Sequence, residues 1–107
     1  MNSRAKGKRG ELEAVHIFRD YGWPNARRTS DGRAQSARGD LAGGPDGCHI
    51  EIKRVQRLNI TKALSQAVTE AKAADVPIVV HRPNDHAWMA TLPLEDLLPL
   101  LKLRDSA

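Results

Sequence analysis

Residues 48–55 place apolar and charged side chains at alternate positions, and this pattern constrains the fold more than any other stretch of the chain. Ile50 and Ile52 share one face of an extended segment, while Glu51 and Lys53 share the opposite face. The pattern therefore predicts a β-strand that buries its isoleucines. The carboxylate and the ammonium form either a solvent-exposed ion pair or part of a site, and Glu51-Ile52-Lys53 alone does not decide between the two.

The segments around this strand predict helices on both sides of a mixed sheet. A helical pattern covers residues 7–21, and Thr61 is the predicted N-cap of a second helix that reaches about residue 74. The remaining predicted elements are strands at 26–29, 40–42, 78–80 and 87–91 and a last helix at 94–101. This order is typical of the α/β class and predicts an α/β/α sandwich with a central mixed β-sheet.

Length and composition indicate one intracellular domain. A chain of 107 residues with 40% hydrophobic content fits a single core, preceded by a flexible basic arm at residues 1–6. The single cysteine, Cys48, cannot form an internal disulfide, which indicates a reducing setting. No apolar run reaches the roughly 20 residues of a membrane span, and no signal-peptide core follows Met1. We therefore expect a soluble, cytoplasmic protein.

Positive charge is concentrated in the first third of the chain. Residues 1–38 contain nine Lys and Arg against four Asp and Glu, whereas residues 39–107 contain eight against nine. Such asymmetry is typical of a protein that meets a polyanion with one end or face, although a solvated N-terminal tail gives the same composition. The basic candidates for phosphate contact are Lys6, Lys8, Arg9, Arg27, Arg28, Arg33 and Arg38.

The Gly-Gly-Pro-Asp-Gly sequence at 43–47 predicts a tight turn that folds the preceding strand back as a hairpin. With a two-residue loop, Asp40 lies directly opposite Glu51, at a Cβ separation of about 5 Å. A three-residue loop with a bulge at Gly47 shifts the pairing by one residue, so the register stays open. Two carboxylates this close repel each other unless a cation or a proton lies between them.

Glu11 is a third candidate carboxylate. In a helix over residues 7–21 it falls on the side of Ala14 and Phe18, whereas Glu13 falls on the polar side. A carboxylate on the core side needs a cationic partner or a metal. At a helix start, however, it also interacts favourably with the macrodipole and stays hydrated.

These residues together indicate metal-dependent chemistry on phosphate esters. Glu11, Asp40 and Glu51 offer hard oxygen ligands, which suit Mg²⁺, with Mn²⁺ as a substitute. Such an ion polarises a scissile phosphate and lowers the pKa of a bound water. Lys53 would orient or activate that water or offset charge in the transition state.

Asp40, a short hairpin and Glu51-Ile52-Lys53 resemble the signature of the PD-(D/E)xK nuclease superfamily. More narrowly, Lys6-Gly7-x-x-x-Glu11 ahead of an amphipathic helix resembles the archaeal-type Holliday junction resolvases, and this likeness runs from about residue 6 to residue 91. Gly39 stands where the motif commonly has proline, and Pro45-Asp46 is interpreted as turn chemistry because it lies too close to Glu51-Ile52-Lys53.

The resemblance implies a restriction-endonuclease-like fold with defined site residues. Glu11, Asp40 and Glu51 would be metal ligands, and Lys53 the catalytic lysine. Ser30 lies where those resolvases often carry a serine close to the junction. The implied activity is Mg²⁺-dependent, structure-selective cleavage of DNA at four-way junctions by phosphodiester hydrolysis, in DNA recombination and repair. A stand-alone resolvase of this size is compatible with a phage or another mobile element as its source.

Paired symmetrical cuts require two active sites related by a two-fold axis, so the resemblance also implies a homodimer. The apolar residues Leu97, Leu98, Leu100 and Leu101 are candidates for its interface, and core packing explains them equally well. Two other functions stay open. One is a different PD-(D/E)xK nuclease of the nicking, repair or restriction-like kind, and the other is a non-catalytic nucleic-acid-binding module.

Two further polar residues are near the predicted site in sequence. His49 shares the strand face of Glu51, but the four histidines lack metal-ligand spacing, so a role for it is not favoured. Gln66 lies on the polar side of the second predicted helix, where an exposed glutamine is the simpler interpretation.

Overall fold

The computed structural model describes residues 3–31 and 39–107, and these contain the predicted order of helices and strands. In chain order the elements are α1 (Ser3–Asp20), β1 (Arg27–Arg28), a 3₁₀ turn (Thr29–Asp31), β2 (Leu41–Ala42), β3 (Cys48–Lys53), α2 (Ile60–Glu70), β4 (Val76–His81), β5 (Met89–Thr91) and α3 (Leu94–Ser106). The prediction of an α/β fold with a mixed sheet is confirmed.

Strands β3, β4 and β5 form the mixed sheet. β3 and β4 are parallel, with Glu51 opposite Val79 and Lys53 opposite His81, and β5 is antiparallel to β4. Parallel neighbours need a long crossover connection, and α2 provides it. β1 and β2 form a separate antiparallel ribbon beside this sheet.

The prediction of a hairpin around the 43–47 turn is wrong. β2 pairs with β1, and the bridge that joins this part of the chain to β3 is parallel and links Gly39 with Ile50. Gly39 and Gly43 have φ values of 80° and 71°, a left-handed conformation that glycine adopts at little cost, so the chain bends at both ends of β2 and leaves the edge of β3.

Helices α1 and α2 cover opposite faces of the sheet. Val15 of α1 belongs to a buried cluster with Ile50 of β3, whereas Ala67 of α2 packs against Val79 of β4. Because Val79 is the pairing partner of Glu51, the face under α2 is the face that carries the charged side chains of β3. The small alanines of α2 allow this helix to approach the sheet closely.

The first two of the three predicted helices start at other residues than predicted. α1 begins at Ser3, so residues 3–6 are helical although a flexible arm was expected there. α2 begins after Asn59, whose side chain accepts a hydrogen bond from the backbone N–H of Lys62 at 3.1 Å. Thr61, the predicted N-cap, instead donates its hydroxyl to Asn59 at 3.0 Å. Asparagine caps helices as well as threonine does or better, and Asn59 has the extended backbone that a cap requires.

Helix α3 extends to Ser106, beyond the predicted end at residue 101, and contains Pro99. None of its residues is buried. Its exposed leucines are Leu94, Leu98, Leu100, Leu101 and Leu103. Within residues 3–31 and 39–107, neither this helix nor the others combine the length and the apolar character that crossing a membrane requires.

Candidate metal centre

The sheet face under α2 holds a buried acid–imidazole pair. His49 and Glu51 are 5% and 9% exposed, and His49 Nε2 lies 2.8 Å from Glu51 Oε1. Lys53 follows on the same face and is half-buried. The alternation of β3 explains this placement, because Ile50 and Ile52 are taken into the core on the side of α1.

The pKa of Glu51 is raised from 4.5 to about 8. Burial is the largest cause, followed by the negative charge of Asp40 and a side-chain hydrogen bond with it, and then by a hydrogen bond with Glu70 and its charge. Glu51 therefore holds a proton at neutral pH unless a cation takes the place of that proton. A raised pKa of this kind is expected for a metal-binding carboxylate in the absence of its ion.

Asp40 is attached to the edge of β3 by two hydrogen bonds. Its backbone N–H donates to the carbonyl of Ile50 at 2.7 Å, and its Oδ2 accepts from the backbone N–H of Ile52 at 2.8 Å. The side chain thus lies at the level of Glu51, where the parallel bridge at Gly39, rather than a hairpin, positions it.

Glu70, at the end of α2, brings a third carboxylate to the same place. It lies three and seven residues after Ala67 and Ala63, so it continues the stripe that faces the sheet. Gln66 donates to its Oε1 at 3.0 Å, and this hydrogen bond is the largest cause of a lowered pKa, followed by one from Glu51. The charges of His49 and Lys53 lower this pKa further.

Ligand atoms of His49, Glu51 and Glu70 all lie within 4.8 Å of one another. In the described part of the chain, this is the group of three acidic or imidazole side chains that one metal ion can reach. This donor set is two carboxylates and one imidazole, and Asp40 hydrogen-bonds with Glu51 beside it from the strand edge. Such a set fits a divalent cation that prefers oxygen ligands and accepts nitrogen, which describes Mg²⁺ and, more closely, Mn²⁺.

Glu11 lies apart from this group and has a cation of its own. Arg28 donates from Nε to Glu11 Oε1 at 2.8 Å, and both side chains are largely buried. A carboxylate on the core side of α1 needs a cationic partner, and the ion pair with Arg28 supplies it.

The predicted DNA-contacting residues are distributed over more than one surface. Lys6 and Arg9 line a cleft beside α1, and Lys8 is exposed on the same helix. Arg27 donates to the carbonyl of Asn25 at 3.2 Å. Ser30 is exposed in the 3₁₀ turn. Arg33 and Arg38 lie outside the described residues.

His49 and Glu70 are the members of the site that the sequence analysis did not select. His49 could have been chosen from its place two residues before Glu51 on the same strand face. Glu70 could have been found as a carboxylate at the seventh position after Ala63 in an otherwise apolar stripe.

Comparison with known proteins gives no relative: no family model, no curated protein and no solved structure matches this chain.

Proposed function

We propose that this protein is a Mg²⁺-dependent DNA endonuclease with a restriction-endonuclease-like α/β/α sandwich of the PD-(D/E)xK type. One observation carries the proposal. The buried carboxyl of Glu51 is surrounded by Asp40 and Glu70, its pKa is raised to about 8, and Lys53 lies on the same face of the strand. Hydrolysis of a phosphodiester needs this combination of a cation site and a positively charged group beside it.

Each residue of the centre has a defined task in this proposal. Asp40, Glu51 and Glu70 hold the ion, with His49 either binding it or orienting Glu51. The ion, Mg²⁺ or Mn²⁺, supplies polarisation of the scissile phosphate and a lower pKa for a bound water. Lys53 orients the attacking water or offsets the negative charge that develops on the phosphate oxygens. Glu11 would become a metal ligand only if its ion pair with Arg28 were broken and the carboxylate bound the ion instead.

We further propose branched DNA with four-way junctions as the substrate and a homodimer as the active form. The junction proposal rests on the resemblance of the Lys6 to Glu11 segment to the archaeal-type resolvases. The dimer proposal has support of a different kind, since α3 exposes a row of leucines that nothing in the described chain covers. Two copies of the chain would provide the paired active sites that symmetrical cleavage needs.

The direct test is cleavage of labelled DNA with and without Mg²⁺. Wild-type protein is expected to cut in Mg²⁺ or Mn²⁺ and not in EDTA, and Lys53→Ala is expected to lose at least 100-fold in rate, on the order of the loss when one transition-state contact is removed. Lys72→Ala is the matched control, because Lys72 is an exposed lysine beyond the end of α2. Equal rates for these two variants would contradict the proposal.

Two substrates distinguish the alternatives. Faster cleavage of a synthetic four-way junction than of a linear duplex of the same sequence supports the resolvase. Equal cleavage of both points to a nicking, repair or restriction-like member of the same superfamily. If wild-type protein binds DNA but does not cut it under any metal condition, the chain is a non-catalytic nucleic-acid-binding module.

A further inference from the structure

A small cleft opens beside α1 at the carboxyl end of β3. It has a volume of about 160 Å³ and is lined by Lys6, Arg9, Gly10, Glu13, Arg54 and Asn84. Small-molecule sites usually exceed about 300 Å³, so this cleft is of a size for one compact group and not for a whole cofactor or nucleotide.

The cleft and the metal centre lie on opposite faces of one strand end. Lys53 is on the face of β3 that α2 covers, and its charge lowers the pKa of Glu70. Arg54, the next residue, packs its side-chain stem against Gly10 of α1, so closely that a Cβ at position 10 would collide with the Cβ of Arg54. The absence of a side chain at Gly10 therefore allows the guanidinium to lie beside the cations of α1.

Positive charge exceeds negative charge in the cleft, since Lys6, Arg9 and Arg54 line it together with a single carboxylate. Among the described residues, neither Lys6 nor Arg9 has an ion pair there. The carboxylate that lines the cleft, Glu13, is hydrogen-bonded to groups outside the cleft. Its Oε1 accepts from Arg82 Nη1 at 2.7 Å and from Trp88 Nε1 at 3.1 Å. The cleft thus presents three cations against one carboxylate, and one oxygen of that carboxylate already accepts two hydrogen bonds.

Arg54 is held in place by its neighbours and keeps further donors for a ligand. Its Nη1 donates to Asn84 Oδ1 at 2.8 Å and to the carbonyl of Arg82 at 3.5 Å. The Nε and Nη2 groups have no protein acceptor in the part of the chain that the structure describes. With its amide oxygen occupied by Arg54, Asn84 offers only its NH₂ donors to the cleft.

We infer that this cleft binds a phosphate group of a nucleic-acid backbone, on the side of β3 away from the metal centre. A fixed guanidinium, two further cations and an amide donor suit the tetrahedrally arranged oxygens of a phosphate group. The inference rests on the proposed DNA substrate and adds a second phosphate contact to it. A strand that passes the end of β3 would then be held on one face by Arg54 while Lys53 meets the scissile phosphate on the other.

Equilibrium binding without cleavage tests the inference. The affinity for a fluorescein-labelled four-way junction and for a linear duplex is measured in EDTA over a range of NaCl concentrations, for Arg54→Gln and for the double variant Lys6→Gln with Arg9→Gln. Each lost phosphate contact is expected to reduce the slope of log affinity against log salt by about 0.9 and the affinity by roughly three- to tenfold. Lys72→Gln, which removes one exposed charge elsewhere, is the matched control.

The outcomes separate this inference from the proposed nuclease activity. If the cleft variants keep the slope and affinity of Lys72→Gln, the cleft does not contact DNA, whatever the cleavage assay gives. Weaker binding by the cleft variants supports the inference even where no cleavage occurs. The double variant changes only two surface positions of α1, so it remains informative if Arg54→Gln fails to fold.

Inorganic phosphate distinguishes a DNA backbone from a free anion as the occupant. Phosphate is expected to compete with labelled DNA no better than NaCl at the same ionic strength. Binding of inorganic phosphate by wild-type protein but not by the cleft variants, measured by calorimetry without DNA, together with unchanged DNA affinity of the cleft variants, would overturn the inference and identify the cleft as a site for free phosphate.

Discussion

The carboxylate of Asp40 accepts a hydrogen bond of 2.8 Å from the backbone N–H of Ile52, and this contact fixes the aspartate to the edge of the strand that carries Glu51. Ile52 itself is 5% exposed, so water cannot easily replace the acceptor. Asp40 therefore has two roles that substitution can separate: it closes the edge of β3, and it presents negative charge to the metal centre.

Asp40→Ala and Asp40→Asn should differ in stability but agree in metal response. Alanine leaves the Ile52 N–H without its acceptor, which is expected to lower the free energy of unfolding by about 1–3 kcal/mol, whereas the asparagine oxygen still accepts that hydrogen bond. Denaturant unfolding at pH 5.5 measures this difference while Glu51 is neutral. Both variants are expected to lose the increase in Tm that Mg²⁺ gives to wild-type protein. An asparagine variant with the full Mg²⁺ response would remove Asp40 from the ligand set.

Stability in the absence of metal should fall as the pH rises from about 5 to 8. The pKa of Glu51 is about 4.5 in the unfolded chain and about 8 in the folded protein, so between these values the folded state holds a proton that the unfolded state has released. Fewer protons bound by the unfolded state means that stability decreases with pH across this window and levels off above it.

Glu51→Gln tests whether Glu51 causes this dependence of stability on pH. The amide stays neutral at every pH, so Tm measured in EDTA should change less between pH 5.5 and pH 8 than it does for wild-type protein. Because a divalent cation replaces the proton on Glu51, Mg²⁺ should raise the Tm of wild-type protein more at pH 8 than at pH 5.5. The same profile in both proteins would show that another group titrates.

His49 should affect the choice of metal. An imidazole nitrogen suits Co²⁺ better than Mg²⁺, which prefers oxygen. His49→Gln is therefore expected to reduce the affinity for Co²⁺ by roughly 10–100-fold, the range seen when groups around a metal are altered, and the affinity for Mg²⁺ by less. Titration calorimetry with each ion checks this expectation. Equal losses for the two ions would mean that His49 acts only by orienting Glu51.

Two glycines of α1 should respond oppositely to the same substitution. Gly10→Ala is expected to lower the free energy of unfolding by about 1–3 kcal/mol, because the new Cβ collides with the Cβ of Arg54 and the end of β3 has to move. Gly7 has no neighbour within 4 Å of an added Cβ, so Gly7→Ala should stabilise by about 0.5–1 kcal/mol through helix propensity alone. Urea unfolding of the pair compares them directly, and stabilisation by both would contradict the close packing at Gly10.

What the sequence could predict was local. The alternation in residues 48–55 identifies β3 and correctly assigns Glu51 and Lys53 to one face, because the period of a strand is short and its side chains alternate strictly. The order of elements follows in the same way from patterns within each segment. These features need no knowledge of which segments meet.

What the sequence could not predict concerns contacts between segments. The 43–47 turn favours a hairpin, yet β2 pairs with β1, since the conformations of Gly39 and Gly43 depend on the surrounding backbone as well as on the residues themselves. Glu11 was a ligand candidate because its arginine partner, Arg28, lies 17 residues away and cannot be recognised from helix periodicity. Glu70 was missed for the same reason, since its approach to Glu51 depends on how α2 crosses the sheet.

The leucines of α3 should decide whether the protein is a dimer. Leu94, Leu97, Leu98 and Leu101 follow the spacing of one helical stripe, and a helix of this length with no buried residue is marginal by itself in water. Pro99 within the helix lowers its intrinsic stability further. A second copy of the chain that covers the stripe would stabilise it, in agreement with the proposed paired active sites.

Charge placed on the stripe should therefore separate the copies. We expect wild-type protein to sediment as a dimer and the double variant Leu98→Glu with Leu101→Glu to sediment as a monomer in analytical ultracentrifugation. Leu103→Glu is the matched control, because Leu103 is 69% exposed and lies on the opposite side of the helix from Leu98. A monomeric wild-type protein, or loss of the dimer by the Leu103 variant alone, would show that the stripe is not the interface.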